Sequence, residues 1–288
     1  MKTLANLMLA CTLLWGLQGL AQIDTPQPSP LCTISQKVGL TDVDVTYSRP
    51  GMKSRTIFGG LVPYGEMWRL GANASTKLTV SSDVTIGGLE VPKGKYAMYV
   101  IPEAEAWTIV IHKNISHWGV GDYTDKDDLG RFRVDVTPMQ DQMETLTIEF
   151  GGFTSDGADM MIMWENTMVK FPIKTNAVEE VEAQIQKVLV DGPGPGTYYQ
   201  AARFYLDNDK DLEQAHTWID MAIEKRPEAF WYVHQKAKIQ AKLGMKKEAI
   251  ATATKSMEMA KANEDGDFGY VANNETLIKE IKEGKYKK

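Results

Sequence analysis

Three arginines, Arg49, Arg55 and Arg69, fall within one stretch of the 288-residue chain, residues 47–73, together with Tyr47, Tyr64 and Trp68 and among five glycines and two prolines. An arginine is permanently charged and presents its N–H donors in a fixed fork that matches a carboxylate or phosphate. Tryptophan and tyrosine add flat faces with a polar edge. The combination reads as a site for an anionic or sugar-like ligand. The competing reading is that the arginines bond this segment's own carbonyls and nearby acids such as Glu66, while Trp68 plugs the open end of the domain.

Other chemistries find less support. His112 and His117 lie five apart, with Asp122, Asp125, Asp127 and Asp128 following. A metal centre needs three or four convergent ligands, and nothing fixes a third. The acidic run lacks the glycine and distal glutamate of a known calcium loop and reads as a solvated turn. No metal or other cofactor is therefore expected, and His112 and His117 are the residual candidates for one. The chain contains no G-x-S-x-G, HExxH, CxxC or P-loop pattern, so familiar nucleophilic, zinc and nucleotide chemistries have no motif here. A carboxylate pair for glycoside cleavage leaves no local signature. An envelope hydrolase acting on glycan or peptide at the same loop thus stands as the alternative to a non-catalytic binding or scaffold protein. The formal charge is −6, and acids outnumber bases on both sides of residue 176, so nucleic acid is not an expected partner.

The elements that hold these residues follow from periodicity. Glycine and proline at this density refuse regular helix or strand, so most of residues 47–73 is expected to be a long ordered loop between strands. Before it, Val43, Val45 and Tyr47 alternate with Asp42, Asp44 and Thr46, the pattern of a strand with one solvated face. After it come short strands at 77–80 and 84–86, with Gly87-Gly88 as a two-residue hairpin signal. Segments 95–101 and 107–112 are more continuously apolar and belong in the middle of a sheet. Segments 131–136, 145–150, 159–164 and 168–173 follow between turn-like residues. About ten close-spaced strands without helical period imply an antiparallel β-sandwich, or a flattened barrel, over residues 31–175. A parallel sheet has no room for its crossovers.

The ends read differently. Residues 1–21 hold one early lysine and an apolar run closing on Gly19-Leu20-Ala21, which predicts a signal peptide and an exported, periplasmic or secreted protein with no stable membrane insertion after cleavage. Residues 22–30 are a polar, proline-rich leader expected to be mobile. Cleavage leaves Cys32 without a disulfide partner in the mature chain. From 176 to 288 the period becomes helical: Asn176 with Glu179 resembles a capping box, and Val178, Val181, Ile185, Val188 and Leu189 share one face. DGPGPG at 191–196 breaks that helix. Ala215 to Ala249 and Ala222 to Ser256 are both offsets of 34, the tetratricopeptide period, so residues 197–227 and 228–261 resemble two such repeats, with 268–285 as a closing helix. The fold class is accordingly α+β: a β-sandwich followed by an all-α tetratricopeptide-like module, whose concave face would hold a protein partner through Tyr198, Tyr199, Trp231 and Tyr232.

YSRP at 47–50, IFGGLVPYG at 57–65, Trp68-Arg69, Gly71-Ala72-Asn73, Gly87-Gly88, Pro92-x-Gly94-x-Tyr96, Trp107-Thr108 and Trp118-Gly119 together resemble an uncharacterised family of exported bacterial proteins, domain of unknown function 2911, over residues 40–173. The resemblance implies a fold boundary and the location of a site, and no activity. It adds Asn73 and Trp118 to Arg49, Arg55, Tyr64, Trp68 and Arg69 as ligand-binding candidates. The chain departs from the family pattern at Leu70 and Ala74, where threonine and glutamate are common, so acid–base work by such a glutamate is not available at Ala74.

Overall fold

The computed structural model describes residues 25–189 and 193–286; the predicted signal peptide and part of the 191–196 break lie outside them. Nine strands form one antiparallel sheet: β1 (Leu31–Val38), β2 (Thr41–Ser48), β3 (Ala72–Val80), β4 (Val84–Ile86), β5 (Leu89–Val91), β6 (Gly94–Pro102), β7 (Ala106–His112), β8 (Asp128–Gly151) and β9 (Gly157–Thr175). Their order is β1-β2-β3-β6-β7-β8-β9-β4-β5. Strands β1 and β5 are the two free edges, so the sheet is not a closed barrel. It folds over through β8, whose first part pairs with β7 and whose remainder pairs with β9. The inner faces of both halves then meet in one core, in which Val45, Leu78, Val100 and Ile109 from one side pack with Ile148, Ile162, Phe171 and Ile86 from the other.

The alternation in β2 is realised as predicted, with Val43, Val45 and Tyr47 buried and Asp42 exposed. Gly87 and Gly88 both take positive φ, 56° and 88°, as a two-residue turn joining Ile86 to Leu89 requires. Two expectations are corrected. Segments 131–136 and 145–150 are a single strand, β8, and 159–164 and 168–173 are a single strand, β9. The turn-like residues between them sit instead at register shifts, with Glu165 at φ 55°, because a long hairpin can absorb extra residues as bulges without turning.

Six helices follow among the described residues: α1 (Ala177–Leu189), α2 (Pro195–Asp207), α3 (Leu212–Lys225), α4 (Phe230–Lys242), α5 (Lys246–Lys261) and α6 (Tyr270–Lys282). Thr175 Oγ1 accepts the Ala177 N–H where the sheet gives way to α1. The residues related by 34 positions, Ala215 with Ala249 and Ala222 with Ser256, are all 0% exposed, because side chains this small let neighbouring helices approach. Gly244, at φ 82°, closes the turn from α4 to α5. No described helix is long and apolar enough to cross a membrane.

Candidate ligand-binding site

The segment between β2 and β3 caps one end of the sandwich. Its middle is a compact turn in which Gly59 N–H donates to Val62 O and Val62 N–H to Ile57 O. This turn buries Ile57, Phe58 and Val62 in the core. The segment then runs beside β6, where Trp68 and Val100 exchange both backbone hydrogen bonds. Past Trp68 the chain turns sharply into β3. Leu70 is fully buried yet holds φ 53°, followed by Gly71 at 150° and Asn73 at 59°. A left-handed leucine costs about 1–2 kcal/mol and persists only when its surroundings fix it. Here Thr76 supplies the fixing, its N–H donating to Arg69 O and its hydroxyl to Leu70 O.

The three arginines separate into different roles. Arg49 reaches across to β8, where Nε donates to Leu146 O (3.0 Å) and Nη2 to Thr147 Oγ1 (2.7 Å). Arg55 donates from Nε to Met52 O and from Nη2 to Gly51 O. Both therefore staple the cap. Glu144 and Glu165 join them, with their carboxylates taking the N–H groups of Lys53, Ile57 and Phe58. Arg69 differs, because its buried Nε has no hydrogen-bond partner among the described residues. Replacing Arg49 with Met is expected to cost about 1–3 kcal/mol, since Leu146 O and Thr147 Oγ1 lose a charged donor; a urea titration checks it through a lower midpoint at unchanged slope.

Arg55, Trp68 and Arg69 come together around a cavity of about 280 Å³. Leu61, Val62 and Trp164 complete its walls, with Ser29, Pro50, Gly71 and Ala72 at the remaining positions. Trp164, from β9, stacks on Trp68 with ring centroids 5.8 Å apart and planes 19° from parallel. Phe58 and Trp107 meet Trp68 edge-on, and Trp68 Nε1 donates to Gly71 O. The cap is thus both a plug and the roof of a cavity. Sequence reasoning did not find Trp164, which lies far along the chain in a segment read only as a strand.

The other candidates sit elsewhere. Arg49 lines a separate groove with Lys53 and Glu144. Tyr64, 47% exposed, lays its ring against Gly59. Asn73 bonds Ser48 Oγ, and Trp118 is 69% exposed. In the helices, Tyr198 and Tyr232 are 5% and 3% exposed and form part of the core, so no partner reaches their rings. Tyr199 and Trp231 keep some exposure; Tyr199 stacks on Tyr232 at 4.6 Å, and the Arg226 guanidinium lies 4.9 Å from the Trp231 ring centre.

A second polar cluster lies on the outer face of the same sheet, under residues 113–124. Lys77 Nζ donates to Ser75 Oγ, which donates to His117 O, and the Tyr99 hydroxyl lies 3.3 Å from His117 Nδ1. Burial, with Lys95 nearby, holds the Lys77 ammonium below its usual range. A serine beside a depressed lysine is a nucleophile–base pair in kind. Ser75 is 2% exposed, however, and no substrate reaches its hydroxyl. The network anchors the covering loop instead. His112 takes part by donating from Nε2 to Thr124 O and accepting the Asn114 N–H at Nδ1. Both nitrogens are occupied, and no group of three metal-ligating side chains occurs among the described residues.

Tyr123 closes this cluster. Its hydroxyl donates to Asp128 and accepts from Arg131, and burial followed by the Asp128 carboxylate pushes it from 10.0 up to about 12. The unfolded chain releases this proton first, so stability falls as pH rises from about 10 to about 12. Tyr123→Phe is expected to flatten that part of the pH–stability curve, as measured by thermal midpoints across alkaline buffers.

Fold and cavity together define an α+β protein in which an open antiparallel sandwich is capped by an arginine- and tryptophan-bearing loop. The family model described as Protein of unknown function (DUF2911) matches residues 29–173, from the first strand into the last, and the chain belongs to that family. No curated protein and no solved structure matches it.

Proposed function

We propose that this protein is an exported, non-catalytic binding protein of the bacterial envelope, and that the cavity under the cap is where it holds a small ligand. The observation that carries this is the cavity itself, which Arg55, Trp68 and Arg69 of the cap line together with Trp164 of β9. The volume of about 280 Å³ is at the lower limit of ligand pockets, which begin at roughly 300 Å³. The lining offers no carboxylate, thiol or imidazole with which to run a hydrolysis, and Glu144 and Glu165 are engaged by backbone N–H groups. Binding therefore fits better than turnover. Export rests on the signal-peptide pattern of residues 1–21, and the helices supply a surface for a protein partner around Tyr199 and Trp231.

The test is a thermal-shift screen of the chain from Gln22 onward against sugars, sugar phosphates, carboxylates and peptides. A ligand present at a hundred times its dissociation constant stabilises by about 2.7 kcal/mol. A hit whose shift vanishes in Arg69→Ala, with the unliganded midpoint little changed, places the site at the cap. Unfolding of the sandwich by Arg69→Ala would show instead that the residue serves only as a plug.

A further inference from the structure

We infer that the outer edge of β1 is an interaction surface, and that its partner is the same strand of a second copy of this chain, paired antiparallel to it. Among the described residues β1 pairs with β2 alone, and the parity of that pairing fixes which main-chain groups are left over. Arg49 N–H donates to Pro30 O, and on the far side of β2 Ser81 N–H donates to Asp42 O. Bonded positions alternate along an antiparallel pair. The register continues from Pro30 and Arg49 to Cys32 with Tyr47, Ile34 with Val45 and Gln36 with Val43, so the even-numbered residues of β1 bond to β2. Leu31, Thr33, Ser35 and Lys37 therefore direct their N–H and C=O groups outward. Gln36 Nε2 reaches round to one of them, Lys37 O, at 3.0 Å.

Sheet edges are ordinarily blocked by shortness, by proline, by a bulge or by an unpaired charge. The opposite edge, β5, is three residues long. β1 runs for eight, without a proline, and pairs with β2 without a register shift. Its one charge, Lys37, is held by Asp42 at 2.7 Å. The prolines before it lead away from the edge, since Pro28 and Pro30 line a groove with Arg49, Lys53 and Glu144 beside the cap. The inner side of the edge is incomplete as well. Cys32, Ile34 and Gln36 are half-buried, whereas Val43, Val45 and Tyr47 of β2 are at most 1% exposed.

A second β1 supplies what this edge lacks. With a two-fold axis beside Ile34, Thr33 faces Ser35 of the other copy and Leu31 faces its Lys37, so every outward position is used, in about eight main-chain hydrogen bonds. On the inner side Ile34 meets Ile34 and Cys32 meets Gln36, which completes their burial. On the outer side Leu31, 72% exposed, lies along the aliphatic stem of the opposing Lys37. The two lysines stand roughly 20 Å apart at ~3.3 Å per residue, so no like charges are opposed. The strand is its own complement, and among the described residues the other free edge, β5, is too short to compete. A strand edge is small beside the interfaces of permanent dimers, so a dissociation constant on the order of tens of micromolar is expected.

Sedimentation velocity of the chain from Gln22 onward, over concentrations that bracket that value, is the test, and a monomer–dimer equilibrium is the expected result. Ser35→Pro removes an outward N–H and no bond to β2. It should weaken the dimer by about tenfold or more and leave the thermal midpoint of the dilute monomer near that of the parent. Thr33→Glu should weaken the dimer too, because its two carboxylates stand diagonally across the axis, and salt should restore part of the loss. Ile34→Pro gives up a bond to Val45 and should instead lower the midpoint of the monomer, which checks the parity. A chain that stays monomeric at the highest concentration would overturn the inference. So would a dimer that Ser35→Pro and Thr33→Glu both leave intact, since it would form elsewhere on the molecule. A monomer that Ser35→Pro unfolds and Ile34→Pro leaves stable would overturn it as well, by turning the free main-chain groups toward β2.

Discussion

Trp164→Ala is expected to destabilise the protein by about 3–5 kcal/mol, the range for removing a large aromatic from a packed core. The indole is 1% exposed. It stacks on Trp68 and meets Phe58 edge-on at 6.2 Å, so its loss opens a hole against the cap's two principal aromatic anchors. Its Nε1 also donates to Glu144 O, the carbonyl that receives the Met52 N–H of the cap. One deletion therefore loosens the cap through packing and through hydrogen bonding. Guanidinium titration followed by far-ultraviolet circular dichroism measures the loss. Trp164→Phe, which keeps a ring but gives up the N–H donor, should cost clearly less. A loss below about 1 kcal/mol for the alanine variant would mean that the ring is not part of the core and that the cavity wall is drawn wrongly.

Gly39→Ala is expected to cost about 2–5 kcal/mol, from two sources that a companion variant separates. Gly39 leads the two-residue turn between β1 and β2 at φ 55°, where an L side chain costs about 1–2 kcal/mol. The added methyl would also stand 2.6 Å from Thr175 Oγ1 and 2.7 Å from Ala177 Cβ. These atoms belong to the end of β9 and the start of α1, and forcing them apart adds about 1–3 kcal/mol of overpacking. Gly65 has φ 76° with nothing within 4 Å of the added methyl, so Gly65→Ala should show the conformational cost alone. Equal losses for the two variants would show that the turn does not press on the strand-to-helix junction.

Local rules reached far into this molecule where a residue's environment is set by its neighbours in sequence. The alternation of Val43, Val45 and Tyr47 predicts their burial because period two is a property of the strand itself. Gly87-Gly88 predicts its hairpin because few other residues accept two successive positive φ angles. The 34-residue offset of Ala222 and Ser256 marks helix contacts because only small side chains fit there. The density of glycine and proline between Tyr47 and Asn73 likewise pointed to an ordered loop at the right place, and the WR-x-GAN pattern to the right family.

What the tertiary structure decided is where each polar group finds its partner, since that depends on chain segments about a hundred residues apart. Arg49, Arg55 and Arg69 are equivalent as sequence. In the fold, Arg49 is engaged by Leu146 and Thr147 and Arg55 by its own loop, whereas Arg69 keeps a buried donor unpaired. Trp164 becomes a cavity wall only because β8 carries the sheet over and brings β9 beneath the cap. Tyr198 and Tyr232 look like a display of aromatic contacts in sequence and are core once the helices pack. The breaks read into β8 and β9 became bulges, because pairing along a long hairpin outweighs the turn preference of a few residues.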